Sequence, residues 1–91
     1  MQQLILNEKL ILSIESLGKK VRLIISELDT ELACRKETIK NLERFLIEYE
    51  AKIFKGRLQL HKYNEIIEVV LKSKPIAVIS SSDFKSIIDN L

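Results

Sequence analysis

Apolar residues recur through the first third of the chain at Leu10, Ile14, Leu17, Val21, Ile24 and Leu28, in alternating steps of four and three. That spacing describes a heptad seam along an α-helix. A second seam runs through Ile39, Leu42, Leu46, Tyr49 and Ile53 and continues in register past Gly56 to Leu60, Tyr63, Ile67 and Val70. Between the two, the step from Leu28 to Leu32 is again four and the next slot falls on Arg35. This is a stutter, which either unwinds a supercoil or marks a turn with Asp29 or Thr30 as the following N-cap.

No Gly or Pro interrupts residues 19–55, so that stretch predicts one long helix. A helix over 3–17 precedes it, either continuous with it or folded back at Gly18. Lys55-Gly56-Arg57 reads as a helix end with a left-handed cap, and a return helix over 57–73 stops before Pro75. Ile76 to Ile79 reads as a connector. Ser80 to Asp83 carries an N-cap signature for a closing helix over 82–90, with Phe84, Ile87, Ile88 and Leu91 on one face. The fold class implied is all-α: a single domain, 1–91, in which a long helix and a shorter antiparallel return helix form a coiled-coil-like hairpin or small bundle. No repeat of 20 to 50 residues aligns.

Composition supports a folded chain. Of 91 residues, 46% are apolar and 31% charged, too apolar for a disordered segment. Two Gly and one Pro are too few to punctuate six or seven short strands, which on this reading rules out an all-β fold. No run approaches the twenty apolar residues of a membrane span, and no signal peptide is visible. One cysteine, Cys34, cannot form an internal disulfide. A soluble, cytoplasmic protein is expected.

The apolar bands extend beyond both seams, through Ile11, Leu12, Leu23, Ile25, Phe45, Ile47 and Phe54. They are wider than one hairpin can cover, which points to a partner. Size and periodicity resemble those of small helical partner-binding proteins such as secretion-system cochaperones and stalk subunits. The expected function is a protein–protein interaction module, an assembly, adaptor or chaperone-type subunit, packing its seam against its own copy or another subunit. The interface would consist of Leu10, Ile14, Leu17, Val21, Ile24 and Leu28 with Ile39, Leu42, Leu46, Tyr49 and Ile53.

The net charge is only +2, but Lys52, Lys55, Arg57, His61 and Lys62 lie in a stretch with no acid between Glu50 and Glu65. Lys52, Lys55, Arg57 and Lys62 are therefore candidate contacts for an anionic partner, and a nucleic-acid-binding regulator is the second reading. His61 is the single histidine, without the further ligands a metal needs or the orienting carboxylate a general base needs. Cys34 reads as a packing residue, and Ser80, Ser81 and Ser82 as capping. With glycines at 18 and 56 only, no phosphate-cradling loop is present. No enzyme activity, cofactor, metal or small-molecule substrate is expected.

Overall fold

Alternation, rather than a step of four and three, organises the apolar residues. In the computed structural model, which describes residues 2–91, Leu10, Leu12 and Ile14 face inward from one strand and Val21, Leu23 and Ile25 from the next. Their register sets Leu12 opposite Ile25 and Ile14 opposite Leu23, so the two strands bury one shared face. More than half of the chain is strand. The elements are β1 (Gln2–Ile5), β2 (Leu10–Leu17), β3 (Lys20–Glu27), β4 (Thr30–Thr38), α1 (Ile39–Ile47), β5 (Glu50–Ile53), β6 (Leu58–Tyr63), β7 (Ile66–Leu71), β8 (Lys74–Ser80) and α2 (Ser81–Asp89).

Strands β1 to β4 form one antiparallel meander and β5 to β8 a second, each ending in a helix. The molecule is therefore a tandem repeat of four strands and one helix, and the correspondence reaches individual hydrogen bonds. The amide of Ile39, at the start of α1, donates to the Lys19 carbonyl, and that of Ser81, at the start of α2, to the Glu65 carbonyl. Likewise Leu28 N–H donates to Lys9 and Lys72 N–H to Arg57. Both meanders break register once between their third and fourth strands, at Ile25/Ser26 and at Val69/Val70, the irregularity expected of a β-bulge. Thr38 and Ser80 cap the two helices by accepting from Asn41 N–H at 3.1 Å and Asp83 N–H at 3.0 Å.

The two inner faces and the buried sides of both helices meet in one core. Leu12, Ile14, Leu23, Ile25, Leu58, Leu60, Ile67 and Val69 line it from the strands, and Leu42, Phe45, Phe84 and Ile88 from the helices. Between the repeats, the Arg35 guanidinium on β4 donates to the Lys55 carbonyl and lies 5.7 Å from the centroid of the Phe54 ring.

These findings overturn the all-α expectation, and with it the coiled coil and the helical hairpin. Residues 19–55 are not one helix but β3, β4, α1 and the start of the second sheet, and 57–73 is the β6–β7 hairpin. The stutter at residues 29–36 is the β3–β4 turn followed by an edge strand. Ile76 to Ile79 is part of β8, whose partner β7 lies in the same chain. Of the helices read from sequence, only the closing one remains, at Ser81–Asp89.

The scarcity of Gly and Pro misleads because ordinary residues occupy the turns. Leu28, Phe54, Asn64, Lys72 and Ser73 all have positive φ, alongside Gly18 and Gly56. In the two-residue β7–β8 turn both Lys72 (φ 52°) and Ser73 (φ 66°) are left-handed, the geometry of a type I′ hairpin normally given to Asn-Gly. Glu15 and Lys19, four apart, would pair on a helix, and in the strands they do not. Glu15 instead accepts from Arg22 across the β2–β3 ladder at 2.9 Å.

Candidate functional site

Once the core is assigned, the seam residues separate. Leu10, Ile14, Val21 and Leu42 are buried within the chain's own core. Ile24, Ile39, Leu46 and Ile53 are half-buried, and Leu17, Leu28 and Tyr49 are exposed at separate places. No continuous stripe of these residues is left for a partner, so the heptad interface is not available in this fold.

Of the exposed large apolar residues, Ile5, Leu17, Leu28, Ile47 and Leu91 lie at separate places, whereas Tyr63, Ile66 and Val78 share the solvent face of the second sheet, with Tyr49 beside them. Because Leu58, Leu60 and Lys62 of β6 point inward, Gln59, His61 and Tyr63 must point outward. Register places Tyr63 beside Glu50 and Ile66, and His61 between Lys52 and Glu68, with Val78 next to Glu68. Tyr63, Ile66 and Val78 are 55%, 48% and 57% exposed. Tyr49, at the entry to β5, sets its ring edge-on to Tyr63, with centroids 5.2 Å apart and planes at 67°. The Tyr63 hydroxyl, then partial desolvation and the Glu50 charge, hold the Tyr49 phenol above its ordinary value. Neither Lys52, Glu50 nor Glu68 makes an ion pair among the described residues.

The solvent face of the first sheet differs. Two of its polar pairs are internal, Gln3 Nε2 donating to Ser13 Oγ at 3.3 Å and Arg22 to Glu15, while Lys20 and Lys36 are exposed on it without an ion pair among the described residues. The hydrogen bond to Glu15 and then the Glu15 charge hold the Arg22 guanidinium above its usual range. Ser13 is buried, and Ile11 and Ile24 are half-covered by their neighbours. Cys34 sits on this face opposite Ile24, half-buried.

The four cations singled out from sequence do not form one group. Lys62 is 5% exposed, on the inner face of β6, and its ammonium donates to the Glu48 carbonyl just after α1 and to the Asn64 carbonyl at 2.8 Å. There it satisfies the carbonyl of the α1 C-cap and one of the β6–β7 turn and cannot meet an external anion. Lys52 belongs to the outer sheet face. Lys55 and Arg57 are exposed in the β5–β6 connection. His61 Nε2 lies 2.9 Å from Gln59 Oε1. No group of three metal-ligating side chains occurs among the described residues, and no helix is long and apolar enough to cross a membrane. A cleft of about 340 Å³ beside Ser80, Ser81, Ser82, Glu65 and Lys85 presents capping groups and no nucleophile–base pair.

The outer face of the second sheet was hidden from sequence reasoning because its members come from four strands, and only the register brings them together. Tyr49 falls in the apparent heptad seam, whereas Ile66, Glu68 and Val78 carry no signal of a shared face. Comparison with protein-family models, with curated proteins and with solved structures finds no match.

Proposed function

We propose that this protein is a non-catalytic interaction module that associates with a second copy of itself through the outer face of the β5–β8 sheet. The observation that carries this reading is the composition of that face. Exposed Tyr63 and Ile66, with Tyr49 beside them, border one side of the row Lys52, His61 and Glu68, and Val78 closes its end; neither Lys52 nor Glu68 has an ion-pair partner within the described residues. A cluster of exposed aromatic and aliphatic residues bordered by polar groups is the pattern of protein interfaces rather than of free surface.

The arrangement is also self-complementary. A two-fold axis parallel to the strands and lying over the space between β6 and β7 sets β6 of each copy against β7 of the other. Tyr63 then meets Ile66, and His61 and Lys52 approach Glu68, twice over, as an isologous contact requires. Two sheets packed this way lie about 10 Å apart, the usual spacing of a sandwich.

Sedimentation equilibrium tests the proposal. The wild-type chain of 10.6 kDa should sediment at twice that mass at micromolar concentration. The double variant Ile66→Lys/Val78→Lys, altered only at exposed positions, should sediment as a folded monomer. Glu68→Lys alone should weaken association, and adding Lys52→Glu should restore part of it. A wild-type monomer at several hundred micromolar, or a dimer indifferent to these changes, overturns the reading.

A further inference from the structure

The duplicated fold permits a comparison between positions that occupy the same place in the two repeats. At one end of each sheet, the connection between the first two strands lies beside the turn between the last two, joined by one backbone hydrogen bond. In the first repeat this is Leu28 N–H to Lys9 at 3.2 Å, and in the second Lys72 N–H to Arg57 at 2.7 Å. Geometry is shared; charge is opposite. The first end, residues 6–9 and 27–31, carries Glu8, Glu27, Asp29 and Glu31 against Lys9 alone. Its counterpart, residues 54–57 and 71–75, carries Lys55, Arg57, Lys72 and Lys74 with no acid.

All four of these cations are exposed, and the hydrogen bond between Arg57 and Lys72 holds the two turns side by side. The Arg35 guanidinium, bound to the Lys55 carbonyl, adds a fifth positive charge behind them. Within the second sheet the acids stand away from this end: Glu50 pairs with Tyr63, Glu65 is in the β6–β7 turn, and Glu68 pairs with His61. Like charges gathered at one end, none of them in an ion pair among the described residues, are unfavourable for the isolated chain, and an external polyanion would relieve this.

We propose that this basic end binds the phosphate backbone of nucleic acid. None of the exposed large hydrophobic residues falls within 54–58 or 71–75. A protein partner would be expected to find an apolar or aromatic anchor there, whereas a phosphate backbone requires only clustered cations. Phe54, the one aromatic nearby, is half-buried under Arg35, which leaves no platform for base stacking and makes the contact independent of base sequence. The surface is distinct from the self-association face and includes Lys72 and Lys74, which the acid-free run in the sequence does not contain.

Fluorescence anisotropy with a labelled 16-base-pair duplex, the corresponding single strand and a polyglutamate peptide tests the assignment on the full chain. Duplex or single-strand affinity should fall with salt at a log–log slope of about −3 to −4, the value for four phosphate contacts. Lys72→Glu/Lys74→Glu should weaken binding at least tenfold, and Lys72→Gln/Lys74→Gln by less. The control Glu27→Gln, at the acidic counterpart, should change it less than twofold, with circular dichroism confirming each fold. Absence of binding at 25 mM salt, a slope near zero, indifference to charge reversal at Lys72 and Lys74, or tighter binding of polyglutamate than of either nucleic acid overturns it.

Discussion

Ser73→Gly should stabilise the protein, and Asp29→Gly, at the corresponding position of the other repeat, should destabilise it. Ser73 is the second residue of the β7–β8 turn, exposed and held at φ 66°. A left-handed conformation costs an L-residue about 1–2 kcal/mol, which glycine does not incur. Glycine in turn loses about 0.4–1 kcal/mol through its larger unfolded-state entropy. The net gain at Ser73 is therefore about 0.5–1 kcal/mol, or roughly 4 °C in Tm for a domain of this size. Asp29 is not among the residues with positive φ, so the same substitution brings only the entropic loss, about 0.4–1 kcal/mol. Asp29→Asn provides the reference that removes the charge without adding freedom. Urea denaturation should show midpoints shifted in opposite directions at unchanged slope. Equal signs, or a loss at Ser73, would refute the assignment of these turns.

Leu60→Ala, at a position with no exposure, should cost about 2–5 kcal/mol through lost burial and a residual cavity. Leu17→Ala, 40% exposed, should cost well under half as much by thermal denaturation, although a heptad seam would bury both. Thr38→Ala and Ser80→Ala each remove a helix N-cap of closely similar geometry and should each cost about 1 kcal/mol, additively within error in the double variant. The Tyr49 phenol is held above its ordinary value of 10.0, so its protonated form contributes stability that is full below that pH and is lost as pH rises through the folded-state value. Tyr49→Phe should accordingly flatten the alkaline decline of stability. An unaltered alkaline limb would contradict the Tyr49–Tyr63 interaction.

The residues that mattered were visible in the sequence, and their period was misread for a physical reason. In β2 and β3 the outward positions include Ile11 and Ile24 as well as Ser13 and Arg22, so the inward set of Leu12, Ile14, Leu23 and Ile25 does not stand out as alternation. When both faces carry isoleucine, a subset at steps of four and three can be found as readily as one at steps of two. The strand reading was available in β-branched enrichment, since isoleucine equals leucine in number and favours strands. The closing helix was legible because its signal is local: serine at the cap, an acid in the first turn, and Phe84 and Ile88 four apart. The repeat was not, because it is conserved as hydrogen bonds and turn positions rather than as residue identities; Leu28 and Lys72 share a conformation and nothing else. The basic cluster was half legible, as Lys55 and Arg57 proved exposed, while Lys62 lies inside by the parity of its strand.

Isotope-filtered nuclear Overhauser spectroscopy on a mixture of labelled and unlabelled chains tests the central functional claim most directly. The proposed dimer requires contacts between copies from the Ile66 methyls to the Tyr63 ring, with none from Ile11 or Ile24 of the first sheet. Contacts between copies that arise from the first sheet, or none at concentrations where the chain is folded, would contradict it.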